Sequence, residues 1–291
     1  MNRNLVVISN TQNPYENHAI EELLFFEFDV YDRILFLWTN EPSVVFGRHQ
    51  NPWKELDVEL AKERQINLIR RLSGGGTVYH DNGNLNFSFI ENGREDRSEL
   101  HFKWLIEALS SFGIEINANE RKDLLLNGQK VSGNAFYLKG NRRLHHGTLL
   151  ITTSENEVWQ VLKKKDGKFK TRGISSVTSK VTNLQAVNPE ISVTSVENSI
   201  VDVFYRYQGY QVDTLSPKDI REANPQRYEQ IKTRLKSWEW VYGETPPFTF
   251  ELNQDNRIEV VNGFIQRFTG QQSPNHLLGK PFSLAAISGI T

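Results

Sequence analysis

The sequence predicts an α+β fold, with a mixed or antiparallel β-sheet and helices set between its meanders. Short β-branched and aromatic runs bounded by turn residues recur through the first half of the chain. Helical spacing of apolar residues dominates the second half. Strands and helices arrive in groups, which separates this pattern from the strict strand–helix repeat of a doubly wound parallel sheet.

Residues 5–8 read as a strand and 16–28 as an amphipathic helix, with Ala19, Ile20, Leu23 and Leu24 at helical spacing. Strands at 33–38 and 43–46 are separated by the turn signal Asn40-Glu41-Pro42. Asp57 is the expected N-cap of a helix running to about Gln65. Strand-like runs at 67–71 and 77–79 flank three glycines, and a strand at 85–90 precedes a helix at 101–112. Residues 123–151 are strand-rich, with turns at Asn127-Gly128 and at 139–141. From there to Trp240 the pattern is mainly helical, with helices expected from Glu155, Val196 and Lys218. Pro246-Pro247 can neither continue a helix nor donate to a sheet, so they mark the expected domain boundary. Two strands are expected beyond it, at 248–252 and 258–268.

A chain of 291 residues can bury a sizeable core, and 38% hydrophobic with 24% charged residues is an ordinary globular composition. Lys plus Arg (34) nearly balances Asp plus Glu (35), which argues against bulk attraction to nucleic acid or anionic membrane. No run is long and apolar enough to span a bilayer, and the apolar run at the N-terminus is too brief for a signal peptide. A cytoplasmic address is expected, with the mitochondrial matrix as the alternative if a targeting peptide has been removed. The chain has no cysteine, which excludes disulfides, thiolate metal sites and cysteine nucleophiles.

The stretch from Arg70 to Ser88 is the most informative. Consecutive Gly74, Gly75 and Gly76 between strands suggest close approach of the main chain to something, or φ > 0. Arg70 and Arg71 precede them, and His80, Asp81 and Asn84 follow. Backbone N–H groups beside guanidinium can cradle phosphate or carboxylate oxygens, whereas a flexible hairpin with surface charges would look the same. Asn127-Gly128 is a strong type I′ hairpin signal. A two-residue loop there pairs Leu125 with Lys130 and Asp123 with Ser132, making Asp123 and Lys130 diagonal neighbours. From spacing alone that pair is either an exposed ion pair, contributing under about 1 kcal/mol, or part of a site. His145 and His146 are adjacent in a strand, so they point to opposite faces, which argues against shared metal ligation. Either could be a hydrogen-bonded structural residue or a base, and His80 is open to the same two readings. Lys163, Lys164, Lys165, Lys168, Lys170 and Arg172 form a basic run around Gly167. It is a solvated loop, a flap over a phosphate or a docking patch for an acidic partner. The aromatic Trp238-Glu239-Trp240 reads as core.

Residues 70–86, Arg-Arg-x-Ser-Gly-Gly-Gly-x-Val-x-His-Asp-x-Gly-Asn-x-Asn, resemble the signature of the lipoate-protein ligase and lipoyltransferase family. Further stretches resemble the family in the same order. They are 42–55 (Pro-Ser-Val-Val-Phe-Gly-Arg-His-Gln-Asn-Pro-Trp-Lys-Glu), 128–135 (Gly-Gln-Lys-Val-Ser-Gly-Asn-Ala) and 145–150 (His-His-Gly-Thr-Leu-Leu). Segments at 174–184 and 237–248 complete the series.

The resemblance implies a catalytic domain of the biotin/lipoate ligase type over residues 1–246 and a short, truncated C-terminal accessory region over 247–291. It implies two steps: lipoate attacks the α-phosphate of ATP to give lipoyl-AMP, and an acceptor lysine then takes the lipoyl group and releases AMP. Lys130 matches the family's essential lysine and is the implied catalytic residue. Arg71, Gly74, Gly75, Gly76, Thr77, Val78, Tyr79, His80, Asn84, Asp123, Ser132, Ala135, His146 and Thr148 are implied in binding the adenylate and lipoate. Val78, Phe87 and Leu125 are candidates for an apolar slot for the lipoyl chain. ATP, with Mg2+ if activation is autonomous, and lipoate or lipoyl-AMP are the implied small molecules. Lipoyl domains of 2-oxoacid dehydrogenase E2 subunits and the glycine-cleavage H protein are the implied acceptors.

Two departures bear on activation: the short C-terminus, and Lys122 where many ATP-dependent members have asparagine. The alternatives are a lipoyltransferase that uses preformed lipoyl-AMP or another lipoylated protein, and a non-catalytic protein that binds lipoyl domains or acyl-adenylates. Absence of cysteine excludes the related acyltransferases that work through a cysteine thioester.

Overall fold

The computed structural model describes residues 3–93, 95–162, 168–209, 212–270 and 274–288. Lys163, Lys164, Lys165 and Gly167 of the basic run lie outside the described residues. The chain forms two compact units. The first comprises Met1–Ser43, His80–Glu155 and Thr178–Lys232, and the second Val44–Tyr79, Asn156–Val177 and Thr233–Thr291.

The first unit holds a six-stranded mixed sheet in the order Asn134–Lys139, Arg142–Leu150, Asn84–Asn92, Arg33–Trp38, Asn4–Ile8, Val212–Leu215. The first four strands are antiparallel neighbours, and the last two pairings are parallel. Asn13 caps the helix Pro14–Glu27, its side chain accepting from the Tyr15 and Glu16 amides, with Pro14 in the first turn. This helix is not amphipathic as expected. Residues 17–25 are buried all round, His18, Glu21 and Glu22 included. Helices Ser98–Ser110 and Val193–Gln208 contribute Trp104, Leu105, Val196, Ile200 and Phe204 to a core shared with Leu35, Phe87 and Phe89 of the sheet. Phe87, expected to line a slot, is a fully buried member of that core.

Strand Val212–Leu215 lies where helix was expected. It is short, polar at Asp213 and Thr214, and paired on one side only, so its pattern lacks the apolar alternation of a half-buried strand. The helix expected from Lys218 is split by Asn224-Pro225 into Pro217–Ala223 and Pro225–Lys236.

The second unit has a three-stranded sheet, Asn67–Arg70, Ser43–Phe46, Val78–His80, and a four-stranded antiparallel sheet, Phe169–Thr171, Phe248–Glu251, Arg257–Val261, Phe264–Thr269. The single strand expected over 258–268 is two, because Asn262 and Gly263 turn the chain at φ of 50° and 75°. Trp53 packs with Tyr242, Phe248 and Phe282 in this unit's core. Asp57 caps Val58–Glu63 as the sequence predicts, accepting from the Leu60 amide.

Candidate active site

In the second unit the glycine loop is shaped by backbone. Gly75 sits at φ +87°, and a Cβ on Gly47 would meet the Gly75 carbonyl oxygen at 2.3 Å, so both positions require glycine. Arg71 braces the loop from inside. Its guanidinium donates to the carbonyls of Gly74 at 2.7 Å and Gly76 at 2.6 Å, to Ser73 Oγ at 3.0 Å and to the Val45 carbonyl at 3.2 Å. A trans peptide directs its N–H opposite to its C=O. The amides of Gly75 and Thr77 therefore point away from Arg71, and that of Thr77 donates to Ser176 Oγ at 2.9 Å.

Ser176 and Gln50 escaped the reading of single residues, although both lie within stretches that carry the family resemblance. Gln50 Oε1 accepts from the Gly47 amide at 2.8 Å and from Thr77 Oγ1 at 3.0 Å, while its Nε2 donates to Ser176 Oγ at 2.9 Å. Glu55 fixes the other side of Ser176 by accepting from its amide at 3.0 Å. Tyr79 packs in the core and Val78 is half-buried.

Arg70 does not serve as a phosphate contact. It is fully buried and donates to the carbonyls of Arg48, Gln50, Trp240 and Val241 and to Thr245 Oγ1, all within 3.1 Å. Burial, then the neighbouring Arg48 charge, lower its pKa to about 9. Trp240 returns an indole N–H to the Arg70 carbonyl at 2.7 Å, consistent with its expected place in the core. Of the basic run, Lys170 is ion-paired with Glu251.

In the first unit the hairpin Leu124–Leu126 with Gln129–Ser132 turns at Asn127-Gly128, both at positive φ. Leu125 pairs with Lys130 as expected, but Ser132 pairs with Leu124 and not with Asp123, because a bulge adds Val131 to one strand. The ion pair survives the shift: Lys130 Nζ lies 2.8 Å from Asp123 Oδ1, with the lysine side chain 23% and the aspartate 11% exposed. Asn119 positions Asp123 by accepting from its amide at 2.9 Å. Lys122 stands at φ +62°, a left-handed conformation that asparagine tolerates better than lysine. Its ammonium bonds Asp96 at 3.1 Å and Ser98 at 2.8 Å and covers the Phe136 ring.

Strand pairing joins the hairpin to the other site residues of this unit. The Gly133 amide donates to Thr148 Oγ1 at 3.1 Å, and Ala135 pairs with His146. His146 and His145 face opposite sides of the sheet, as the sequence predicts. His146 Nδ1 lies 2.8 Å from Glu21 Oε1. His145 packs against Phe87, Phe102 and Phe136, with Nε2 at 2.9 Å from Asn134 Oδ1 and Nδ1 at 3.0 Å from His101 Nδ1. Burial pushes His145 well below the ordinary imidazole pKa and lowers His101 as well. His80 Nδ1 bonds Asn40 at 3.1 Å, and the Asn84 side chain donates from Nδ2 to Asn86 Oδ1 at 2.9 Å.

Residues 13–205 match the lipoyl protein ligase A/B catalytic domain. The chain belongs to that family. It is 35% identical to a lipoate-protein ligase A of Bdellovibrio bacteriovorus, over 86% of this chain and 75% of the relative. It is 32% identical to one of Blochmanniella floridana, over 94% and 85%. Among solved structures, a P. falciparum protein in complex with lipoate superposes with a TM-score of 0.74 at 28% identity, covering 91% of this chain and 84% of that one. A lipoate-protein ligase A bound with ATP gives a TM-score of 0.62 at 22% identity, covering 81% and 94%, a likeness of fold. The protein is accordingly an enzyme, a ligase that attaches lipoate to protein, on an α+β fold with a mixed sheet. A transferase without its own activation step and a non-catalytic binding protein are not favoured. No helix among the described residues is long and apolar enough to cross a membrane.

Proposed function

We propose that the enzyme activates lipoate with ATP and passes the lipoyl group from lipoyl-AMP to a lysine of a lipoyl domain, in 2-oxoacid dehydrogenase E2 subunits or the glycine-cleavage H protein. The observation that carries this reading is Lys130 held 2.8 Å from Asp123 on a turn-defined hairpin. Fixed charge aimed where charge develops stabilises a phosphoryl or acyl transition state without reorganisation. Lys130 supplies that charge, and Asp123 with the bulged hairpin keeps the long side chain in one place. Gly74, Gly75, Gly76 and Thr77 bind adenylate through backbone, with Arg71 fixing the loop. Ser132, Ala135, His146 and Thr148 face the acyl carbonyl, and Val78, Tyr79, His80 and Asn84 complete the binding set. Mg2+ binds through one or two carboxylates plus substrate phosphates. The Asp123 oxygens already face Lys130 and Arg121, and no cluster of three or more His, Cys, Asp or Glu residues among those described could hold a metal by itself.

Pyrophosphate release from lipoate and ATP tests activation, and the absence of release with intact transfer from lipoyl-AMP would remove it. Lys130→Ala should lower transfer to a purified lipoyl domain by about 10²–10³, by analogy with loss of one preorganised donor. Lys130→Arg should recover little, because a planar fork does not reproduce a point charge. Retention of more than about half the rate in Lys130→Ala would end the assignment.

A further inference from the structure

The two members of the Lys130–Asp123 ion pair are held in place differently. Lys130 sits in a strand whose main chain is pinned away from the hairpin, its amide donating to the Lys180 carbonyl at 2.9 Å and its carbonyl accepting from the Thr182 amide at 3.0 Å. Asp123 lies just beyond the hairpin ladder, which ends where Leu124 pairs with Ser132. The Lys122–Asp123 peptide that places it is gripped at both ends. Asn119 Oδ1 accepts from the Asp123 N–H at 2.9 Å, and Asn134 Nδ2 donates to the Lys122 carbonyl at 2.8 Å. A planar peptide fixed at both polar groups fixes the Cα from which the Asp123 side chain leaves. The same Nδ2 donates to Ser132 Oγ at 3.1 Å, so one amide ties the Asp123 arm to the strand carrying Lys130.

We propose that Asn134 is a positioning residue for Lys130, its side-chain amide clamping the Asp123 arm to the lysine strand so that the ammonium keeps its ion-pair position. The inference rests on the reading that makes Lys130 the catalytic charge. A carbonyl only accepts hydrogen bonds, so the Lys122 oxygen dictates which end of the Asn134 amide is the NH2 group. Oδ1 is then turned to His145 Nε2 at 2.9 Å, and that nitrogen must carry a proton. Burial, then the nearby His101, His146 and Lys122 charges, keep the His145 imidazole neutral. Its Nδ1 is therefore bare and accepts from His101 Nδ1 at 3.0 Å. His101 supplies that N–H both as a neutral imidazole and as an imidazolium paired with Glu91, so the chain keeps its direction in either state. Every donor in it points toward the hairpin, and two buried imidazoles outside the binding set thereby lock the amide against flipping. Without the clamp Lys130 keeps its backbone bonds but loses a fixed carboxylate, and a charge that must reorganise stabilises a transition state less.

The test is a double-mutant cycle on transfer from lipoyl-AMP to a lipoyl domain, with Asn134→Ala and Asn134→Asp each made in the wild type and in Lys130→Ala. Asn134→Asp keeps the shape but turns a carboxylate oxygen toward the Lys122 carbonyl. In the wild type each should lower kcat at least about tenfold while lipoyl-AMP affinity stays within about threefold. In Lys130→Ala each should cost less than about twofold, because a residue acting through Lys130 has nothing left to position. The Lys130 ammonium ¹⁵N signal at pH 6, assigned through Lys130→Arg, should be sharp in the wild type and should broaden or move to the free-lysine position in Asn134→Ala. Wild-type imidazole ¹⁵N spectra should show His145 with Nε2 protonated and Nδ1 bare. Wild-type kcat in Asn134→Ala overturns the proposal, as does an equal loss in both backgrounds. So does a His145 protonated on Nδ1 alone, even if neither variant folds. Should Lys130→Ala keep its rate, the functional reading falls, and the ammonium signal still decides whether Asn134 holds the lysine.

Discussion

The glycine loop and the lysine hairpin are both short turns between strands, and both lie beside basic residues, yet they use those residues oppositely. In the loop the guanidinium groups turn inward: Arg70 and Arg71 bond loop and neighbouring carbonyls, and the surface left for a ligand is main chain. In the hairpin the main chain is engaged in pairing, and the proposed chemistry lies in a side chain, Lys130, compensated by a carboxylate. A cation whose neighbours are carbonyls is scaffold; a cation with one carboxylate and a partly open face can meet a substrate. Residue type does not distinguish these cases, and the partners do.

The comparison breaks most visibly at Arg70. Arg70→Ala strips buried carbonyls of their donors, at about 1–3 kcal/mol for each group left unsatisfied, so a loss of at least about 4 kcal/mol is expected. Urea unfolding measures it; a loss below about 1 kcal/mol would mean that Arg70 is not scaffold.

Gly75→Ala sharpens the backbone side. At φ +87° a Cβ costs about 1 kcal/mol or somewhat more, and lipoyl-AMP affinity should fall about tenfold while the fold survives. Calorimetry with unchanged affinity would take the loop out of the binding surface.

The first unit adds a pH term that the loop lacks. His101 and His145 have depressed folded-state pKa values, so the stability tied to their neutral forms is fully present above 6.5 and is lost as pH falls from there through the folded values. Each contributes a slope of at most about 1.4 kcal/mol per pH unit. His101→Phe keeps a ring against Phe89 and should flatten the slope of Tm between pH 5 and 6.5, whatever its constant offset. An unchanged slope would show that other groups carry it.

Smallest is Lys122→Asn. It relieves a left-handed lysine and gives up a half-exposed ion pair, so stability should move by less than about 0.5 kcal/mol. Rates with lipoate plus ATP should stay within about twofold, since this ammonium is held by Asp96 and Ser98. A severalfold gain would return Lys122 to the activation step.

Much of the hairpin was legible because Asn127-Gly128 permits few geometries, and the opposite faces of His145 and His146 follow from the two-residue period of a strand. The Val131 bulge was not, since nothing in Lys-Val-Ser distinguishes a continuous ladder from an interrupted one. Asn262-Gly263 carried the same signal as Asn127-Gly128 and was absorbed into one long strand because apolar residues continue on both sides. Arg70 stood beside Arg71 at the edge of a possible anion cradle, and its scaffold role was hidden because its partners are backbone carbonyls some 20 and 170 residues away, which no local pattern records. Glu21 was hidden for a related reason: a glutamate in a helix reads as solvent-facing until a histidine from a distant strand is found against it. Ser176 and Gln50 stood inside family-like stretches, and only the fold singled them out.

Gly147 follows the two histidines in the strand and precedes Thr148. A Cβ there would lie 2.5 Å from Asn134 Oδ1, 2.6 Å from Phe87 Cζ and 2.7 Å from the Gly133 carbonyl oxygen. With identical residues at 145 and 146, a sheet assembled one residue out of step would still put an imidazole on each side of the strand, and side-chain identity alone would penalise that error weakly. The misaligned strand would, however, bring either His146 or Thr148 into a space that admits no side chain. The space at Gly147 thus penalises a one-residue slip that the His-His pair would otherwise conceal.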